Sequence, residues 1–197
     1  MRTTLPGLAL AGVAVMRAAL PGLALAASVL ALVPGCGGEP PPAKDGATVV
    51  KARPEPVRFA YQALDGKPLS TASLSGRFSL IALGATYDLP SQAQARFLTG
   101  VARNHTPRVN VALLILEPEE NRPLVEAFVQ TLRLEYPVAL ADQATITGTG
   151  GPFPGLHHVP SVVIIDREGR EVWRHMGLVD DETLNGALQE LERAAAP

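Results

Sequence analysis

Apolar positions along the chain fall into three regimes. Residues 1–35 carry two long apolar stretches, 8–16 and 20–33, with Arg2 and Arg17 set among them and no acidic residue. Residues 36–56 are dominated by Pro, Gly and charged side chains, with too little apolar area to form a core. From Val57 onward, short apolar runs alternate with segments of helical spacing.

Within that last regime, residues 57–61 alternate apolar and polar, and Leu64-Asp65-Gly66-Lys67 is a turn signal, so a short hairpin opens the domain. Residues 78–84 form an apolar run bounded by Gly76 and Gly84, the pattern of a strand buried on both faces. A helix is predicted over 90–104, with Pro90 suited to its first turn and Ala93, Phe97, Leu98 and Val101 on one face. A second buried strand follows at 109–116, then a helix over 122–134 with Val125, Phe128, Val129 and Leu132 at helical spacing. Residues 136–140 are extended and 162–165 form a third strong strand. Asp166-Arg167-Glu168-Gly169 turns that strand into 171–175 as an antiparallel hairpin. The last helix runs over 181–195, with Asp180 placed to cap it. Two βα units followed by a hairpin and a helix predict an α/β domain: a central mixed sheet flanked by helices, with an N-terminal β-hairpin.

The first regime reads as a secretory leader, since Pro21-Gly22 and Pro34-Gly35 interrupt any window of about 20 residues that could span a bilayer. It reaches Leu32-Val33-Pro34-Gly35-Cys36, which resembles the bacterial lipobox, where the Cys is acylated and the leader is cut just before it. Pro34 departs from the small or aliphatic residue usual there. The alternatives are a retained transmembrane helix or a plain signal that leaves Cys36 free. Residues 1–11 and 16–27 share Leu-Pro-Gly-Leu-Ala-Leu-Ala, so Met16 is a second candidate start. The expected organisation is a lipoprotein signal over 1–35, the lipidated Cys36 with a semi-rigid tether over 36–56, and one folded domain over 57–197. The resemblance implies a protein of the bacterial cell envelope, held by membrane lipid at the periplasmic face of the inner or outer membrane.

Net charge is −2 for the whole sequence, and removing Arg2 and Arg17 with the leader makes it −4, a balance that favours neither nucleic acid nor a polybasic membrane surface as partner. Cysteine usage narrows the chemistry more. A single Cys, at position 36, can form neither an intramolecular disulfide nor a multi-thiolate metal site.

Several segments then line up. Leu64-Asp65-Gly66-Lys67-Pro68-Leu69 precedes Leu74-Ser75-Gly76-Arg77; the buried strand ends in Gly84-Ala85-Thr86-Tyr87; Val159-Pro160-Ser161 leads into a strand that closes on Ile165-Asp166-Arg167-Glu168-Gly169-Arg170. In this order and spacing the chain from about residue 59 to 191 resembles the TlpA/ResA-like branch of thioredoxin-fold proteins, related to the redoxin (AhpC/TSA) group. That resemblance implies a thioredoxin-like fold and thiol-disulfide exchange at a Cys-x-x-Cys motif after the first buried strand. Here the segment reads Tyr87-Asp88-Leu89-Pro90-Ser91, so Asp88 and Ser91 stand at both cysteine positions. Neither a carboxylate nor a hydroxyl can form a mixed disulfide, which argues against an enzyme of the family's kind. Asp88 is first of all a helix cap and Ser91 an ordinary first-turn residue.

The resemblance also places Val159 and Pro160 in a loop whose cis proline faces the active-site helix and leaves backbone open to pair with an extended polypeptide. The binding groove expected is therefore Tyr87, Asp88, Val159 and Pro160, with a protein or peptide partner and no cofactor. The competing readings are a divergent oxidoreductase that works with a partner's thiols, a metal-assisted or acid–base activity joining Asp88 to His157 or His158, and a passive scaffold. Tyr87 and Trp173 are core or groove-lining aromatics, and His105 and His175 read as ordinary surface or strand residues.

Overall fold

The computed structural model describes residues 55–156 and 158–196. The expected leader over 1–35, Cys36, the expected tether up to residue 54, and His157 lie outside the described residues. The elements run β1 (Ala60–Gln62), β2 (Pro68–Ser70), α1 (Thr71–Leu74), β3 (Phe78–Gly84), α2 (Leu89–His105), β4 (Val109–Ile115), a 3-10 turn (Glu119–Asn121), α3 (Arg122–Leu132), β5 (Val138–Leu140), α4 (Gln143–Ile146), β6 (Ser161–Ile165), β7 (Glu171–Met176) and α5 (Asp181–Ala194).

Five strands form one sheet in the order β5-β4-β3-β6-β7, and β1 pairs with β2 as a separate antiparallel hairpin. Strands β3, β4 and β5 are parallel, whereas β6 runs antiparallel to both β3 and β7. Phe78 lies opposite Val109, Leu83 opposite Ser161, and Ser161 opposite Met176. This register brings the C-terminal ends of β3, β4, β5 and β7 to one end of the sheet, here called the site end.

Every residue of β3 is buried, because the sheet is covered on both faces. Phe78, Leu80 and Ala82 alternate onto the face packed by Ala95, Leu98 and Val101 of α2, Val125 of α3, and Leu184 and Leu188 of α5. Ile81 and Leu83 alternate onto the other face, which is covered by Val57, Leu69 and Leu74 of the N-terminal hairpin region and by Phe153. Helix α2 buries a stripe centred on Gln94 and Ala95 rather than the expected Ala93 and Phe97, which are only half-buried. Gln94 is accommodated there because its side-chain amide donates to the Val179 carbonyl at 3.0 Å while its oxygen accepts the Val179 N–H at 2.9 Å, so no polar atom is stranded.

Four boundaries have local causes. Asp88 and Asp180 cap α2 and α5 by accepting the N–H groups of Ser91 and Thr183, each at 2.8 Å. Helix α3 stops two residues earlier than its apolar period suggests, at Leu132, because Arg133 turns left-handed with φ 53°. At the β6–β7 turn Gly169 has φ +84°, and a Cβ there would lie 2.8 Å from Thr71 Cγ2, so only glycine lets the N-terminal segment pack against the turn. The chain enters the domain at that place: the Val57 N–H donates to the Gly169 carbonyl at 2.9 Å. Among the described residues no helix is long and apolar enough to cross a membrane.

Candidate functional site

Strand β3 ends at Gly84, and Ala85-Thr86-Tyr87 leads into the cap of α2. Asp88 is half-buried; its Oδ2 accepts both the Ser91 N–H at 2.8 Å and the Ser91 hydroxyl at 2.6 Å. The carboxylate therefore sits at the positive end of a 17-residue helix, where backbone donors and the helix dipole favour negative charge. Ser91 is buried, and a Cβ on Gly84 would approach its Cβ at 3.2 Å, so the strand end and the first turn of α2 are in close contact. The Ser91 hydroxyl is thus committed to Asp88 and faces protein rather than solvent.

On either side of Asp88 the chain exposes large apolar side chains. Tyr87 is 77% and Leu89 74% exposed. Tyr87 is therefore no core aromatic, whereas Trp173 is buried and stacks on His175.

The Val159–Pro160 peptide bond is cis. Leu83 pairs with Ser161, so Pro160 lies level with Gly84 at the site end. The Pro160 carbonyl accepts the Gly177 N–H at 2.9 Å and the Ser161 hydroxyl donates to the His158 carbonyl at 2.6 Å. Among the described residues, the N–H and C=O of Val159 make no hydrogen bond, leaving one backbone unit for an extended ligand. Tyr87, Asp88, Val159 and Pro160 are thus gathered at one end of the sheet.

His158 is exposed on the same loop. Among the described residues no group of three or more His, Cys, Asp or Glu side chains is placed to hold a metal ion. His105 and His175 are both buried, His105 accepting or donating at 2.8 Å to Asn185 from α5 and His175 on the inward face of β7.

One residue that the sequence pattern does not single out organises this end. Glu117, just after β4, is only 2% exposed. Its Oε1 accepts the Thr86 N–H at 2.5 Å and the Thr86 hydroxyl at 2.6 Å, and its Oε2 accepts the Asn121 side-chain amide at 2.9 Å. A buried carboxylate is tolerated only with such a complement of donors, and here it clamps the loop before α2 to the turn before α3. The signal in the sequence is slight: an acidic residue directly after an unbroken apolar strand. Next to that turn lies a polar recess of about 450 Å³ lined by Tyr61, Glu119, Arg122 and Asp142 among others. The Tyr61 hydroxyl meets Thr145 Oγ1 at 2.8 Å there, and burial raises its pKa above the ordinary tyrosine value.

A parallel βαβ unit, an antiparallel hairpin beside it, and a cis proline level with the N-terminus of the first long helix define a thioredoxin-like fold, here with no thiol in the described domain. No protein-family model matches the chain. It is 25% identical over 137 residues to the thiol-disulfide oxidoreductase ResA of Bacillus cereus, covering 70% of this chain and 76% of that protein, and equally to ResA of Bacillus anthracis. Among solved structures, a DsbF homologue from Corynebacterium diphtheriae superposes with a TM-score of 0.63 at 16% identity, over 77% of this chain and 96% of that one. A thiol:disulfide interchange protein from Chlorobium tepidum gives 0.61 at 23% identity, over 72% and 98%. The exposed lipoprotein thioredoxin of Streptococcus pneumoniae gives 0.58 at 18% identity, over 68% and 98%. The chain has a thioredoxin-like fold and is similar in sequence to the ResA proteins of that fold.

Proposed function

We propose that the chain is a membrane-tethered envelope module that binds an extended polypeptide at the Tyr87, Asp88, Val159 and Pro160 end without thiol chemistry of its own. The observation that carries this reading is Asp88. A carboxylate, bonded to Ser91, occupies the helix N-terminus where thiol exchange needs a thiolate, while the exposed Tyr87 and Leu89 and the open Val159 backbone remain beside it. Thiol exchange requires a sulfur nucleophile to attack a disulfide sulfur, and the sole sulfur nucleophile of the chain, Cys36, stands at the leader junction. Acylation of Cys36 and a tether over 37–56 account for the Pro-rich stretch, and the pneumococcal neighbour, described as an exposed lipoprotein, supports that placement. The name of the ResA relatives favours a second reading, an oxidoreductase working with thiols supplied by its partner.

The two are separated by assaying the full chain for insulin disulfide reduction alone and with a dithiol partner, alongside photo-crosslinking in native envelopes from position 88 and, as control, from position 189 on α5. The binding module gives no turnover in either mixture and a discrete adduct from position 88 that is absent from position 189 and lost in Tyr87→Ala. Turnover in the presence of the dithiol establishes the second reading.

A further inference from the structure

The two ends of the sheet carry opposite charge. At the site end stand Asp88, Glu117, Glu119, Glu120 and Asp142 against Arg122 alone. At the other end, where β3 and β4 begin and β6 turns into β7, stand Arg58, Arg77, Arg108 and Arg167, all exposed, with Glu55 at the chain entry and Glu190, Glu192 and Arg193 on the last turns of α5. None of Arg58, Arg77, Arg108 and Arg167 is in an ion pair among the described residues.

Their proximity is fixed by the fold. Phe78 pairs with Val109, so Arg77 and Arg108 precede neighbouring strands, and Arg77 Nη1 donates to the Pro107 carbonyl at 2.9 Å. The Arg167 guanidinium lies 5.7 Å from the centre of the Phe78 ring, and the Arg167 carbonyl accepts the Gly76 N–H at 2.8 Å. Arg58 follows Val57, which is bonded to Gly169 of the same turn. The only acids in that turn, Asp166 and Glu168, are both engaged by Arg170. The chain arrives at this same end, and Lys51 and Arg53 precede it in the sequence.

We infer that this arginine-bearing end is a docking surface for an anionic phospholipid bilayer, on which the domain rests with its acidic site end turned away. Basic side chains held within a Debye length of an anionic leaflet, about 8 Å at physiological salt, are attracted to it, each raising the ratio of docked to free domain about fivefold. Glu119, Glu120 and Asp142 at the opposite end are repelled by the same surface, so charge alone selects one of the two orientations. The inference rests on the tether for proximity to the membrane; it does not depend on what the site end binds.

The test holds the full chain by its N-terminal segment in lipid nanodiscs of phosphatidylcholine, with or without roughly 30% phosphatidylglycerol, an anionic density of the kind that sets such surface potentials. Amide exchange is followed over residues 73–77, 105–109 and 166–170, and over 85–92 at the site end. Exchange of the first three segments is expected to slow in the anionic discs only and to recover in high salt, with 85–92 unchanged. Arg58→Gln with Arg108→Gln, two side chains without a hydrogen-bond partner among the described residues, should lower the docked-to-free ratio about 25-fold. Equal exchange in both discs, or slowing at 85–92 instead, overturns the inference while leaving the tether intact. A chain that leaves both discs overturns the tether reading and the inference with it.

Discussion

Glu117 accepts three hydrogen bonds from two loops, one reached through Thr86, 31 residues away in sequence, and the other through nearby Asn121. Glu117→Ala leaves the Thr86 N–H and hydroxyl and the Asn121 amide without their acceptor. It should cost about 2–3 kcal/mol in urea unfolding, with faster amide exchange over residues 85–92 than over β3. His175 is the opposite case. Both of its ring nitrogens are buried without a hydrogen-bond partner among the described residues, and its ring is stacked on Trp173 at 6.0 Å. His175→Leu keeps the volume apolar and removes two stranded polar atoms, so stability in the same assay should rise by about 1 kcal/mol. A loss of stability would mean that the imidazole has a role in the fold that its surroundings do not disclose.

At the scale of elements, the helix caps set a pH dependence whose sign can be worked out for Asp180. Its carboxylate is held below the ordinary aspartate value by the Thr183 hydroxyl and then by the Thr183 N–H. A lowered folded value means that the stabilisation is complete above the unfolded pKa, about 3.9, and disappears as pH falls through the folded value. Asp180→Ala should therefore cost about 1 kcal/mol at pH 7, a fall in Tm of roughly 2–4 °C, and the difference from the native chain should narrow as pH falls below the unfolded value. The same cap was legible in the sequence, as were β3, β4, β6, β7 and the three long helices, because period and punctuation are local. The four-residue helices α1 and α4 were not legible, since a single turn shows no period and each rests on one cap, Ser70 and Asp142 respectively. The burial of Gln94 on α2 depends on Val179, 85 residues away, which no spacing rule reaches. At the site end the residues Tyr87, Asp88 and Pro160 could be named from the sequence, whereas Glu117 could not, because its contact with Thr86 is long-range.

For the whole molecule, the summed charge concealed more than it disclosed. A balance of −2 suggests a featureless surface. The fold sorts the same charges to opposite ends, because strand direction decides which turn residues share an end. Chain entry at Val57 then adds a mechanical property. Val57 is held by the Gly169 carbonyl through its N–H and by the Thr71 hydroxyl through its C=O, and β1 pairs with β2 so that Ala60 faces Ser70. Tension arriving from the N-terminal side loads these bonds first, and it loads the hairpin at its open mouth, where the pairs separate singly instead of all at once. The parallel ladder of β3 and β4 stands behind it in series and carries the same tension, but over seven paired positions instead of three, so the hairpin yields first. A pull through the proposed tether would thus strip residues 57–70, lengthening the N-terminal segment by roughly 45–50 Å, before the strand that leads to Tyr87 and Asp88 is displaced.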